Sequence, residues 1–179
     1  MVKDPDTGPA RGPAQKISRF IDATITVTGK WVSWLNVILI LVILLQVVLR
    51  YGFGQGQVFL EEAQWYLYAI VVMFGISYGV TTNAHIRMDL VYARLSPRTQ
   101  EWIEVLGQLF FVLPFALIFF IKGLDFVESS WRVNEGSPSP GGLPWRWAIK
   151  AALPASMLLY TFASFSRIIR GILTLLKKA

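Results

Sequence analysis

Four long stretches of this 179-residue chain carry no Asp, Glu, Lys, Arg or His, and each is apolar. Nineteen uncharged residues separate Lys30 from Arg50; the runs Ala63 to Ala84, Val105 to Ile121 and Ala151 to Ser166 follow. At about 1.5 Å of helical rise per residue the first run reaches about 28 Å, close to the roughly 30 Å hydrocarbon core of a bilayer. Apolar blocks of this length cannot all hide inside one small soluble core, and only 16% of the chain is charged. The sequence therefore predicts an all-α integral membrane protein with four transmembrane helices over about 31–50, 62–84, 103–123 and 146–167. All seven tryptophans (Trp31, Trp34, Trp65, Trp102, Trp131, Trp145 and Trp147) fall at or beyond the ends of these runs, at the headgroup level that amphipathic rings prefer.

Outside the spans the texture is different. Residues 1–14 are rich in proline and glycine and predict a mobile tail, with residues 15–179 forming a single membrane domain. Ile17, Phe20, Ile21 and Ile25 share one helical face, which predicts a separate amphipathic helix lying in the interface before span one. Met88, Val91, Tyr92 and Leu95 predict a short amphipathic cytoplasmic helix between spans two and three. Ser96-Pro97 pairs a cap residue with a first-turn proline, so the third helix should start there and extend to near Trp131. The first apolar block lacks a small-residue cleavage motif and reads as a retained anchor. Twelve Lys and Arg residues fall in the tail, the second loop and the C-terminus, against five in the first and third loops, which predicts both termini in the cytoplasm.

The same inventory excludes much chemistry. The formal charge of +6 sits mostly at block edges and not along one stripe, so nucleic acid is not an expected partner. Without cysteine there can be no disulfide, thiolate metal site or Cys nucleophile. The single histidine, His85, cannot supply both axial ligands of a haem. The polar residues inside the runs (Asn36, Gln46, Asn83 and Gln108) form no nucleophile–base pair, so no catalytic residue, cofactor or resident metal is expected.

Several residues stand out as contact candidates. Glu61 and Glu62 open span two; they could stabilise the positive end of the helix dipole, with Arg50 as an ion partner, bind a coupling ion, or dock a partner subunit. Gly75 and Gly79 form a small-xxx-small pair that would let another helix approach closely. His85, Arg87 and Asp89 follow span two, either as part of a surface helix or as ion-pair contacts to a partner. On the outer side Trp131, Arg132, Glu135 and Trp145 make either an interfacial anchor or a docking surface for a soluble partner.

The order of these features resembles the small membrane subunit, DctQ type, of tripartite ATP-independent periplasmic (TRAP) transporters. Leu49-Arg50-Tyr51 closes span one, Glu61-Glu62 with Tyr66-Leu67 opens span two, Gly75 and Tyr78 lie within it, and His85-Ile86-Arg87-Met88-Asp89 follows. Glu135, Ser137, Leu143-Pro144-Trp145 and Pro154 complete the pattern before span four. The resemblance implies residence in a bacterial or archaeal cytoplasmic membrane and two protein partners: a large membrane subunit that carries substrate and sodium, and a periplasmic binding protein that delivers an organic acid. It implies a bracing role for this chain, with sodium bound on the partner. Two other classes stay open: a small homo-oligomeric exporter that couples transport to Glu61 or Glu62, and a membrane anchor subunit of a respiratory enzyme.

Overall fold

The computed structural model describes residues 13–82 and 95–177. Residues 1–12 of the proposed tail, and the stretch holding His85, Arg87, Asp89 and most of the expected cytoplasmic helix, lie outside the described residues, whereas Pro13 and Ala14 of that tail are helical. Helix α1 covers Pro13–Val47 and continues as a π-helical turn over Val48–Gly52; α2 covers Val58–Thr81. Helix α3 (Pro97–Gly107) passes through a second π turn (Gln108–Val112) into α4 (Leu113–Arg132), and α5 covers Arg146–Lys177. By length and apolarity four rods can cross a membrane: Pro13–Gly52, Val58–Thr81, Pro97–Arg132 and Arg146–Leu176.

Local chemistry accounts for the boundaries. The Ser96 hydroxyl accepts the Thr99 backbone N–H at 3.2 Å, a side-chain cap with Pro97 in the first turn. The π turn before α4 coincides with Pro114, which offers no N–H to the Phe110 carbonyl and whose ring crowds that turn; a locally wider helix relieves both.

The separate interfacial helix expected before span one is not what forms. Residues 13–47 make one unbroken α-helix. No proline interrupts it after Pro13, and Gly29, its weakest helix former, is pinned where a Cβ would sit 2.5 Å from the Tyr78 ring. The expected apolar face splits. Ile25 is buried beside Val80 and Ala163, with Ile21 packed on the same cluster, whereas Ile17 and Phe20 stay exposed.

Helix α5 holds the bundle together, since it packs against α1, α2, α3 and α4. About 39% of its most apolar window is buried, against 6–11% for the other three rods. Small residues permit this: Ala152, Ser156, Ala163, Ser164 and Ser166 are all buried, and the Ser77 hydroxyl of α2 reaches the Ser156 carbonyl at 3.3 Å. Elsewhere apolar surface faces outward, from Trp34, Leu41 and Leu44 on α1 to Phe111 and Ile118 on the third rod. In water such a surface would be untenable; in lipid it costs nothing.

Candidate subunit-contact and docking surfaces

Two polar clusters mark the ends of the bundle. At one end the loop after α4 is tied down by carboxylates. Glu61 takes the Arg50 guanidinium at 3.2 Å and the Gln46 amide at 3.3 Å, joining the end of the first rod to the first turn of α2. The pair is half-exposed, so it adds at most about 1 kcal/mol. Glu62 points elsewhere: it accepts the Ser137 hydroxyl and, at 2.6 Å, the Leu143 backbone N–H, holding the 133–145 loop onto α2.

Glu135 continues this network by pairing with Lys150, with Arg146 3.9 Å away. Its hydrogen bond from Lys150 holds its carboxyl below the usual range, and the charge of Arg146 acts in the same sense. Lys150 also lies 4.1 Å from the centre of the Phe126 ring. Trp131 meets Trp147 edge-on at 4.5 Å, and Arg132 pairs with Glu128. Trp145, 62% exposed, sits at φ 59°, a left-handed backbone that bulky residues rarely adopt, and its carbonyl accepts the Ala148 N–H as α5 begins. Trp131 and Arg132 end α4, and Glu135 and Trp145 lie in the loop after it, with both tryptophans largely exposed.

The opposite end holds both ends of the described chain. The Ser18 and Ser166 hydroxyls lie 2.7 Å apart, Asp22 accepts from Ser166 at 2.6 Å, and Arg170 reaches Asp22 at 3.4 Å. Arg167, nearly buried, is held between Glu101 at 3.1 Å and Glu104. These contacts clamp α1 and α3 onto the last turns of α5 and went unnoticed in the sequence. Their only signal there was opposite charge just beyond the spans, which basic residues flanking any membrane helix would mimic.

The glycine pair fares differently. Gly75 faces open space, with nothing within 4 Å of a Cβ placed there. Close helix approach inside the chain happens at three other glycines. A Cβ on Gly29 would meet Tyr78, one on Gly123 would lie 3.1 Å from Pro154, and one on Gly171 would lie 2.4 Å from Val105. Their sequence signal was weak, because glycine is frequent in membrane helices generally. No group of three or more metal-binding side chains occurs among the described residues.

Two comparisons bear on identity. Residues 39–174 match the family model described as tripartite ATP-independent periplasmic transporters, DctQ component. The chain is also 26% identical over 124 residues to a Haemophilus influenzae protein named "Putative TRAP transporter small permease protein", covering 68% of this chain and 75% of that one. The matched segment runs from within the first rod nearly to the end of α5, and so takes in Glu61, Glu62, the 133–145 loop, the last part of the first rod and nearly all of the other three. This chain belongs to the DctQ component family of the tripartite ATP-independent periplasmic transporters, as a multi-pass small membrane subunit.

Proposed function

We propose that the chain is the non-catalytic brace of a TRAP-type secondary transporter: it anchors and widens the scaffold of a large sodium-coupled subunit that moves as an elevator. The substrate is an organic acid, usually a carboxylate, delivered by a periplasmic binding protein, and the complex sits in a cytoplasmic membrane with both termini of this chain inside. The observation that carries this reading is the unequal burial of the rods: in three of them few residues of the apolar stretch are fully buried. In lipid such faces need no cover from one another, and they leave helix surface free for a large partner subunit.

The chain also offers little with which to carry a solute itself. Its uncharged runs contain no acid or base, and intramembrane ionisable groups are the usual mark of a transport pathway. Glu61 and Glu62, the carboxylates an exporter would need, lie in the first turns of α2 and are engaged by Arg50, Gln46, Ser137 and the Leu143 N–H. On this reading they are structural ties, while Gly75, Gly79, His85, Arg87 and Asp89 are contacts to the large subunit. Trp131, Arg132, Glu135 and Trp145 form the face presented to the binding protein.

Co-purification of the tagged chain from its native membrane in mild detergent tests the proposal. A large multi-span permease should be recovered in roughly equal amount. Recovery of this chain alone, as a homo-oligomer that moves solute in liposomes, would overturn it.

A further inference from the structure

Contacts between α1, α2 and α5 fix the height of Lys30 in the bundle. Gly29, the residue before it, meets the Tyr78 ring on α2, and the neighbouring Ser77 donates to the Ser156 carbonyl of α5, so Lys30 is level with Ser156. A second contact agrees: Ser18 lies against Ser166, and Lys30 is twelve residues further outward along α1. On α5 the first charge inward of Ser156 is Arg167, about 16 Å away at 1.5 Å of rise per residue. Lys30 thus stands near mid-height of the uncharged run of α5, Ala151 to Ser166, and it is exposed there with no ion pair or hydrogen bond among the described residues. Its side chain leans toward the N-terminus by about one turn, roughly 5 Å, which leaves the ammonium well short of the level of Arg167.

The same offset recurs at the other end. Helix α5 starts at Arg146, level with Ile40, yet α1 continues past it with Leu41, Leu44 and Val48 all exposed. Tilting the bundle does not bring the uncharged runs of α1 and α5 into one slab. Packed helices lie about 8–10 Å apart, so an offset of about 15 Å calls for an inclination of about 55° or more. At that angle the nineteen uncharged residues of α1 cover at most about 16 Å of depth, near half of the roughly 30 Å core. Lipid alone therefore does not serve the outward face of α1 along its whole length.

We propose that this face of α1, along Lys30, Trp34, Val37, Leu41, Leu44 and Val48, is where the large membrane subunit packs, and that the subunit sets a carboxylate against Lys30. These positions alternate at spacings of four and three and all are exposed, the register in which a second helix lies alongside. A cation at the depth of an apolar layer is held by pairing with opposite charge, and Lys30 has no such partner among the described residues. Protein cover also accounts for Leu41, Leu44 and Val48, which rise past the start of α5. The inference rests on the bracing reading and adds to it the helix used and the charge that the partner must bring.

The test uses the full-length tagged chain in its native membrane, with photoreactive benzoylphenylalanine at Val37 or Leu41, and at Phe111 on the third rod for comparison. Irradiation should join Val37 and Leu41 to a large multi-span permease, identified by mass spectrometry, and Phe111 far less. Lys30→Glu should lower the permease recovered with the chain by about tenfold or more, because it sets like charges face to face, and Lys30→Arg should keep it. If Lys30→Glu does not fold, the cross-links decide. Three results would each overturn this inference and leave the bracing reading standing: a co-purifying permease joined no better through Val37 and Leu41 than through Phe111, cross-links from α1 to a second copy of this chain, or undiminished recovery with Lys30→Glu. Absence of any permease beside the unaltered chain would overturn both.

Discussion

Glu135 shows how one side chain can set the condition under which a whole loop is ordered. Its carboxylate is stabilised by Lys150 and Arg146, so its folded-state pKa lies below its unfolded one. For a depressed carboxylate the stabilising contribution is present above the unfolded value, about 4.3, and is lost as pH falls through the folded value. Hydrogen exchange at residues 133–145 should therefore be slow at neutral pH and accelerate below about pH 4, and Glu135→Gln should remove part of that acid response, the rest belonging to the Glu62 carboxylate that holds the same loop. Unchanged exchange between pH 7 and pH 3 would contradict the assignment. At this scale the sequence was only partly legible. Arg50 with Glu61 could be anticipated as a pair, because both flank one short turn. Glu62 with Ser137 and Arg167 with Glu101 could not, since those partners are 75 and 66 residues apart and only the packing of the helices brings them together.

Among the helices, close approach decides more than hydrophobicity does. Pro154 removes a hydrogen-bond donor from the interior of α5, yet the helix continues, and the ring seats against Gly123 on α4. A Cβ at position 123 would meet three Pro154 atoms within 3.3 Å, and backbone is among them. Gly123→Leu should accordingly push α4 from α5 and destabilise the protein by about 1–3 kcal/mol. Gly75→Leu, at a position open to its surroundings, should leave the isolated chain unaffected. Thermal unfolding in detergent compares the two, and equal losses would refute the distinction. The presence of four helical rods long and apolar enough to cross a membrane, and the Ser96 cap, were readable as uncharged length and turn chemistry. The continuity of α1 was not. Amphipathic periodicity from Ile17 to Ile25 is the same whether the apolar face meets headgroups or another helix, and here α5 claims Ile21 and Ile25.

For the molecule as a whole, both ends of the described chain sit at one end of the bundle, and the 133–145 loop sits at the other. Because the chain contains no cysteine, a single introduced one reports its side of the membrane without background. With both termini inside, Ser139→Cys should react with a membrane-impermeant maleimide in intact cells and Ala10→Cys only after permeabilisation. The reverse pattern would invert the proposed orientation. The unequal burial of the rods also bears on how the protein is made. Helices α1 and α2 can meet as soon as both are inserted, through Gly29 with Tyr78 and Gln46 with Glu61. The third rod, among the described residues, packs chiefly on α5, which the ribosome delivers last. Until α5 is inserted that rod lacks its main described neighbour, so a chain cut short before α5 would insert as three spans without the helix that packs against all the others.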